Sequence, residues 1–233
     1  MRIKVLNKKI IFIALDCSIS KANLIIRSIP KYKSKNYTFG LKIGYQIFFS
    51  RGGREFVKSI KNFPIFLDLK LNDIETTTIN ALISLKDLKN VKYITIHVNT
   101  GKKTIKSARN FTNAKLLCVT TLTTLDQKDI KEIGYNKKID NLILHQATLA
   151  KQCGCYAVIC SARESLKINN LVKIKTITPG IRLLGDKIND QKRISTPRNA
   201  LTKQKASGIV IGRSLTSGNI KNNFKKLIQH LEL

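Results

Sequence analysis

Between Pro64 and Asp73 the chain places three charges in a short space, Asp68, Lys70 and Asp73, in the stretch Ile65-Phe-Leu-Asp68-Leu-Lys70-Leu-Asn72-Asp73-Ile74-Glu-Thr-Thr77. An ammonium flanked by two carboxylates is kept charged and held in place. Such a group can stabilise negative charge as it develops on a neighbouring atom and then hand that atom a proton. Ile65 to Leu71 is apolar, β-compatible and entered through a proline, which marks a strand. On a regular strand Asp68 and Lys70 share a face, with backbone positions roughly 6.6 Å apart. Charges at the end of a buried strand are costly to desolvate, and function is the usual reason to keep them. A purely structural ion pair is the alternative. Asp73 falls where strand gives way to helix, with Asn72 the expected N-cap and Glu75 completing a capping box.

A second group of polar residues lies late in the chain. Thr178-Pro-Gly-Ile-Arg182 makes a sharp exit into a polar segment containing Asp190-Gln191, long enough to act as a lid. Ile211-Gly212-Arg213-Ser214 follows, where arginine offers a fork of donors suited to phosphate.

These residues need a scaffold that brings distant segments together. Short apolar runs cover Ile10–Leu15, Thr38–Ile43, Ile65–Leu71, Val91–Val98, Lys115–Thr121, Tyr156–Cys160, Lys173–Thr178 and Ile209–Ile211. Helical patterns separate most of them: one capped by Ser18 or Ser20 and running to Pro30, then Gly52 to Lys61, Asp73 to Lys86, one after Gly101, and Asp140 to Gln152. A last amphipathic helix spans Asn219 to Leu231. Parallel neighbours need right-handed crossovers, so eight such strands predict a single-domain (β/α)8 TIM barrel over residues 1–233. Asp16, Lys42, Asp68, Lys70, His97, Thr123, Arg182 and Arg213 then fall at or just beyond strand ends. That rim carries the active site of barrels, and the loops after strands seven and eight form their recurrent phosphate cradle.

Composition narrows the options. At 42% hydrophobic residues the chain has enough apolar material for a continuous core. The formal net charge of +29 invites a nucleic-acid reading, but Lys and Arg are spread over nearly every helix and loop without interleaved aromatics. Codon bias toward Lys, Asn and Ile accounts for the charge, and no specific nucleic-acid partner is expected. Five cysteines form neither a disulfide framework nor a zinc pattern, which points to a reducing, cytoplasmic compartment. Cys118 and Cys160 read as small core residues. The run Ile10–Leu15 is too short for a signal peptide, and no window reaches transmembrane length.

Taken together, the chain resembles the bacterial-type orotidine 5'-phosphate decarboxylases along nearly its whole length. The matching pieces are Ile13-Ala-Leu-Asp16, Leu41-Lys42-Ile-Gly44, Phe66 to Ile74, Leu122-Thr123, Thr178 to Arg182, Asp190-Gln191 and Val210 to Arg213. The resemblance implies a cofactor-free decarboxylation of orotidine 5'-phosphate to uridine 5'-phosphate, the last step of pyrimidine nucleotide biosynthesis, with no metal. It implies Lys70 as proton donor in a network with Lys42, Asp68 and Asp73, and Asp16 and Lys42 as ribose-side ligands. Thr123 would contact the pyrimidine, and Arg182, Gln191, Gly212 and Arg213 the phosphate. Asp73, Ile74 and Thr77 would reach into the neighbouring subunit's site of a homodimer. Asn72, Glu75, Thr76 and Val98-Asn99-Thr100-Gly101 depart from the family's usual residues. The nearest rival is a related sugar-phosphate decarboxylase or aldol-type enzyme, which often needs a divalent metal.

Overall fold

All eight apolar runs become parallel strands. In the computed structural model, which describes residues 8–31, 34–186 and 194–232, they are β1 (Lys9–Ala14), β2 (Tyr37–Ile43), β3 (Ile65–Leu71), β4 (Val91–His97), β5 (Lys115–Val119), β6 (Ala157–Ile159), β7 (Lys175–Thr178) and β8 (Gly208–Ile211). Each strand pairs with the next, and β8 returns to β1 from Ile10↔Gly208 to Ile13↔Ile211, closing the barrel.

The strands read as unbroken apolar runs because both of their faces are buried. On β1, Ile11 and Ile13 turn outward into the large core beneath the helices. Ile10, Phe12 and Ala14 alternate with them and fill the barrel interior with Phe66, Leu117, Ala157, Ile177 and Val210. Phe12 dominates that inner layer, packing edge-on against Phe66 at 5.0 Å and Tyr93 at 5.2 Å. Room for its ring comes from β2, where a Cβ on Gly40 would lie 2.8 Å from Phe12 Cε1.

The helices follow local signals where those act alone. Ser18 caps Ile19–Ser28 by accepting from the Lys21 amide, and Asp126 with Asp129 forms a capping box on Gln127–Glu132. The box expected from Asn72 and Glu75 does not form. The helix Glu75–Ser84 begins two residues later than expected, with Ile74 at its N-cap and no side-chain cap. Glu75 is instead drawn to the next helix, Lys102–Ala108, accepting from Ser107 at 2.5 Å and pairing with Lys103 at 2.9 Å. Asp73 binds the Ile74 amide at 2.7 Å in place of Asn72.

One crossover helix escaped the sequence reading: Ala162–Leu171, between β6 and β7. Its signal was present as Ser161-x-x-Glu164, which forms a buried capping box. The short helices Tyr45–Phe48, Pro197–Leu201 and Arg213–Thr216 are also additions to it. Cys118 and Cys160 are buried as expected, although Cys160 lies just past the end of β6. Among the described residues no helix is long and apolar enough to cross a membrane.

Gly40 offers a direct test of this interior packing. Gly40→Ala should lower unfolding free energy by about 1–3 kcal/mol, the usual range for overpacking a core. Urea titration would show the midpoint falling with an unchanged slope. A midpoint equal to wild type would mean that Phe12 can move aside freely.

Candidate active site

Asp68, Lys70 and Lys42 meet at the carboxyl-terminal ends of β2 and β3, but not by simple strand alternation. The pairing of β3 with β4 runs Leu67↔Ile94 and then Leu71↔Ile96, so four steps on β3 face two on β4. The surplus is a bulge, and within it Lys70 has a φ of 43°. A lysine in this left-handed region is strained, and surrounding contacts must hold it there. One residue does much of that. Thr95 of β4, fully buried, accepts from the Lys70 amide at 2.8 Å and donates its hydroxyl to Asp68 Oδ1 at 3.0 Å.

The other carboxylate oxygen collects the cations. Lys70 Nζ lies 3.0 Å from Asp68 Oδ2 and Lys42 Nζ 3.5 Å from the same atom, while Lys42 also reaches Asp16 Oδ1 at 2.9 Å. The result is a chain of alternating charge, Asp16–Lys42–Asp68–Lys70. Asp68 is buried, and both its oxygens are engaged by fixed donors.

Tyr45 stands beside this chain. Its hydroxyl donates to the Leu69 carbonyl at 2.9 Å, and its ring centroid lies 5.5 Å from Lys70 Nζ. Burial, and secondarily the Asp68 charge, push the Tyr45 phenol up, so it stays a donor at neutral pH. His97 does not line the pocket; its Nδ1 accepts from the Asn99 amide and caps the turn after β4. Burial, reinforced by the Lys70 charge, holds its imidazole below the usual histidine range. It is therefore neutral near pH 7, as an acceptor nitrogen requires.

The charge chain forms one wall of a cavity of about 490 Å³ at the barrel mouth. Of the expected site residues, Asp16, Lys42, Asp68, Lys70, Thr123, Arg182, Gly212 and Arg213 line it. Four cations face two carboxylates there, so the cavity favours an anion. Arg182 is 8% exposed; its Nη1 donates to the Ile181 carbonyl, but its Nε is buried without a hydrogen-bond partner among the described residues. Thr178 Oγ1 and Ser214 Oγ, beside the same two strand ends, are likewise buried and unpartnered. Buried donors without acceptors are rare enough to need a reason.

Other expected residues lie elsewhere. Asp73, Ile74 and Thr77 are exposed and do not line their own chain's cavity; Ile74 is 71% exposed. Asp190 and Gln191 lie outside the described residues. Ser195 bonds Gly180 and Arg182 through its backbone. Two departures from the family's usual residues touch each other: Thr100 donates to the Leu71 carbonyl at 3.1 Å and lies 3.5 Å from Asn72 Oδ1.

Sequence reasoning missed Thr95, Tyr45 and Gln146. Gln146 accepts from both the amide and the hydroxyl of Thr121, fixing the turn that leads to Thr123. The signal for Thr95 was a lone hydroxyl inside the apolar run Tyr93-Ile-Thr-Ile96. Tyr45 and Gln146 carried no such signal, because nothing local says what a tyrosine or glutamine will touch.

Comparisons with known proteins place the chain in a family and match its barrel fold. Residues 9–224 match the family model described as orotidine 5'-phosphate decarboxylase / HUMPS family. An orotidine 5'-phosphate decarboxylase of Buchnera aphidicola subsp. Schizaphis graminum is 40% identical over 198 residues, covering 81% of this chain and 82% of that protein. One from the Wolbachia of Brugia malayi is 36% identical over 196 residues, covering 81% and 85%. Among solved structures, the orotidine 5'-phosphate decarboxylase of Lactobacillus acidophilus superposes with a TM-score of 0.80 at 26% identity, covering 97% of this chain and all of that one.

Thr95→Val keeps the shape of the side chain but removes both of its hydrogen bonds. It should cost about 1–3 kcal/mol of stability, the penalty for leaving buried polar groups unsatisfied. Thr95→Ser should cost clearly less. Equal midpoints for the two variants in urea would remove the hydroxyl from its role at the bulge.

Proposed function

The chain belongs to the orotidine 5'-phosphate decarboxylase / HUMPS family, and on that premise we propose that it converts orotidine 5'-phosphate to uridine 5'-phosphate, closing pyrimidine nucleotide synthesis. The observation that carries this reading is the alternating chain Asp16–Lys42–Asp68–Lys70 on the wall of an anion-favouring cavity.

The chemistry follows from the difficulty of the reaction. When the bond between C6 and the carboxylate breaks, the electron pair stays on C6 in an orbital that the pyrimidine ring cannot delocalise. Lys70 stabilises that carbanion as it forms and then transfers one ammonium proton to it, giving the C6–H bond of the product. Solvent afterwards restores the proton to Lys70. Asp68 holds Lys70 aimed, because displacing it would break the ion pair at Oδ2, the oxygen that Lys42 also approaches. With Asp68 near the substrate carboxylate, like charges would oppose binding of the reactant more than of the carbanion. No step calls for a metal or organic cofactor.

The rest of the cavity divides by chemistry. Asp16 and Lys42 take the ribose hydroxyls, Thr123 the pyrimidine edge, and Arg182, Gly212 and Arg213, with Gln191, the phosphate. The unpartnered Nε of Arg182 supports the phosphate assignment, since an oxyanion is the partner it lacks. Phosphate contacts far from C6 provide binding energy that orients the reacting ring. Asp73, Ile74 and Thr77 complete the site of a second copy, and their exposure beyond their own cavity supports a homodimer with shared sites.

The deciding assay follows the fall in orotidine 5'-phosphate absorbance with purified protein and a chelator present. Steady loss would support this function. A requirement for added divalent metal, with turnover of a sugar phosphate instead, would favour the related sugar-phosphate decarboxylases or aldol-type enzymes. In the same assay Lys70→Ala should lose more than about nine-tenths of turnover, a barrier increase above ~1.4 kcal/mol. Retention of a tenth or more would remove Lys70 from the proton-donor role.

Shared sites make a sharper claim. Lys70→Ala and Asp73→Ala homodimers should each be inactive, yet a mixture that exchanges subunits should recover. In a mixed dimer one site lacks both charges while the other is intact. Random exchange makes about half the dimers mixed, so activity should approach roughly a quarter of wild type. If activity never exceeds the sum of the two variants, with exchange verified by native mass, Asp73 serves its own chain.

A further inference from the structure

The opposite mouth of the barrel carries a second concentration of charge that the decarboxylation does not use. There, a hollow of about 200 Å³ is lined by Lys9, Tyr93, Tyr156, Lys175 and Lys205, among others. Lys115 and Lys175, the first residues of β5 and β7, place their ammonium groups 4.3 and 4.6 Å from the centroid of the same Tyr156 ring. Lys175 also bonds the Tyr156 hydroxyl at 3.2 Å, and Lys115 lies 5.5 Å from the Tyr93 centroid. Beside them Lys9 is partly buried against the Leu201 carbonyl.

The closed face of a barrel is ordinarily a matter of stability, and lysine stems packed on tyrosines serve that purpose. The charges themselves do not. No carboxylate among the described residues pairs with Lys9, Lys115, Lys175 or Lys205. Two ammonium groups attend the one Tyr156 ring without a carboxylate between them, and burial makes the Lys9 charge costlier, lowering its pKa. A compact ligand with several negative charges would supply the missing counter-charge and fit the hollow.

We propose that this amino-terminal mouth is a binding site for a compact polyphosphate anion, such as the phosphate tail of a nucleoside triphosphate, held by Lys9, Lys115, Lys175 and Lys205 over the Tyr93–Tyr156 floor. The tail would lie across the barrel from the decarboxylation cavity, with its phosphates between the lysines and any attached nucleoside directed to solvent. Binding would weaken as salt rises, because the contacts are ionic.

Inorganic tripolyphosphate is the probe, measured by calorimetry on the whole protein at constant ionic strength. Wild type and Arg213→Ala should each bind one equivalent at this mouth with similar affinity. Lys115→Gln/Lys175→Gln should bind about tenfold more weakly or worse. A control, Lys225→Gln/Lys226→Gln, removes the same charge from the surface helix Ile220–Glu232 and should leave affinity unchanged. Equal weakening in the control would mean that net charge alone attracts the anion and would overturn the site. Loss of the equivalent in Arg213→Ala would assign it to the decarboxylation cavity, which also overturns it. Should the strand variant fail to fold, Lys205→Gln, exposed and outside the strands, provides the same reading; unchanged affinity there would count against the site. Repeating the titration with adenosine triphosphate and with inorganic phosphate distinguishes a nucleotide tail, which should bind like tripolyphosphate, from a simple phosphate site, which would bind both anions equally and refute the polyphosphate class.

Discussion

A single buried carboxylate organises this molecule's working end. Asp68 receives Lys70 and Lys42 on one oxygen and the Thr95 hydroxyl on the other. A carboxylate this buried is tolerable only when its oxygens are fully engaged. Its partners are then constrained in turn: Lys70 must leave regular strand geometry to reach it, and Thr95 must occupy an interior position where an aliphatic residue would pack better. The strain at Lys70, the bulge in β3 and the polar intrusion into β4 are one arrangement with one cause. Removing the carboxylate would leave two lysines side by side on the wall of a cavity that already has an excess of positive charge.

The barrel makes this arrangement possible by separating stability from chemistry. Ile11 and Ile13 face the helices while Phe12 and Ala14 face the interior, so each strand is held on two sides along most of its length. The buried charge chain and the bulge that carries Lys70 lie toward the carboxyl-terminal ends of β2 and β3, where the strands have already been held. Closure supplies rigidity that a lone hairpin could not: β3 is held between β2 and β4 while its end departs from regular pairing. The placement of Lys70 therefore depends on neighbours outside the charge chain, Thr95 and Tyr45 among them.

The large positive charge sets the background for all of this. An excess of Lys and Arg raises the local concentration of any phosphorylated ligand and repels competing cations. It also makes each buried carboxylate more valuable, since only 14 acidic residues are available to offset 43 basic ones. Where acids do occur near the mouth they are spoken for: Asp16 and Asp68 by lysines, Asp73 by a backbone amide, Glu75 by Lys103 and Ser107. Among the described residues the lysines of the opposite barrel mouth have no such carboxylate partners.

Much of this was legible before any coordinates. Continuous apolar runs with polar residues at their ends can only be strands buried on both faces, and eight of them alternating with helices leave few closed topologies. The residue types at Asp16, Lys42, Asp68, Lys70, Arg182 and Arg213 likewise announced an anion site, because charge at a strand end is too costly to persist without use. What the chain could not announce were the choices settled by contacts distant in sequence. Glu75 abandoned a local cap for Lys103, 28 positions away. Lys70 met Asp68 through a bulge held by Thr95, not through the even spacing of a flat strand. Local pattern determines which face of an element is apolar and where an element can begin; which of several possible partners a polar side chain takes is decided only when the closed barrel brings those partners within 3 Å or so of one another.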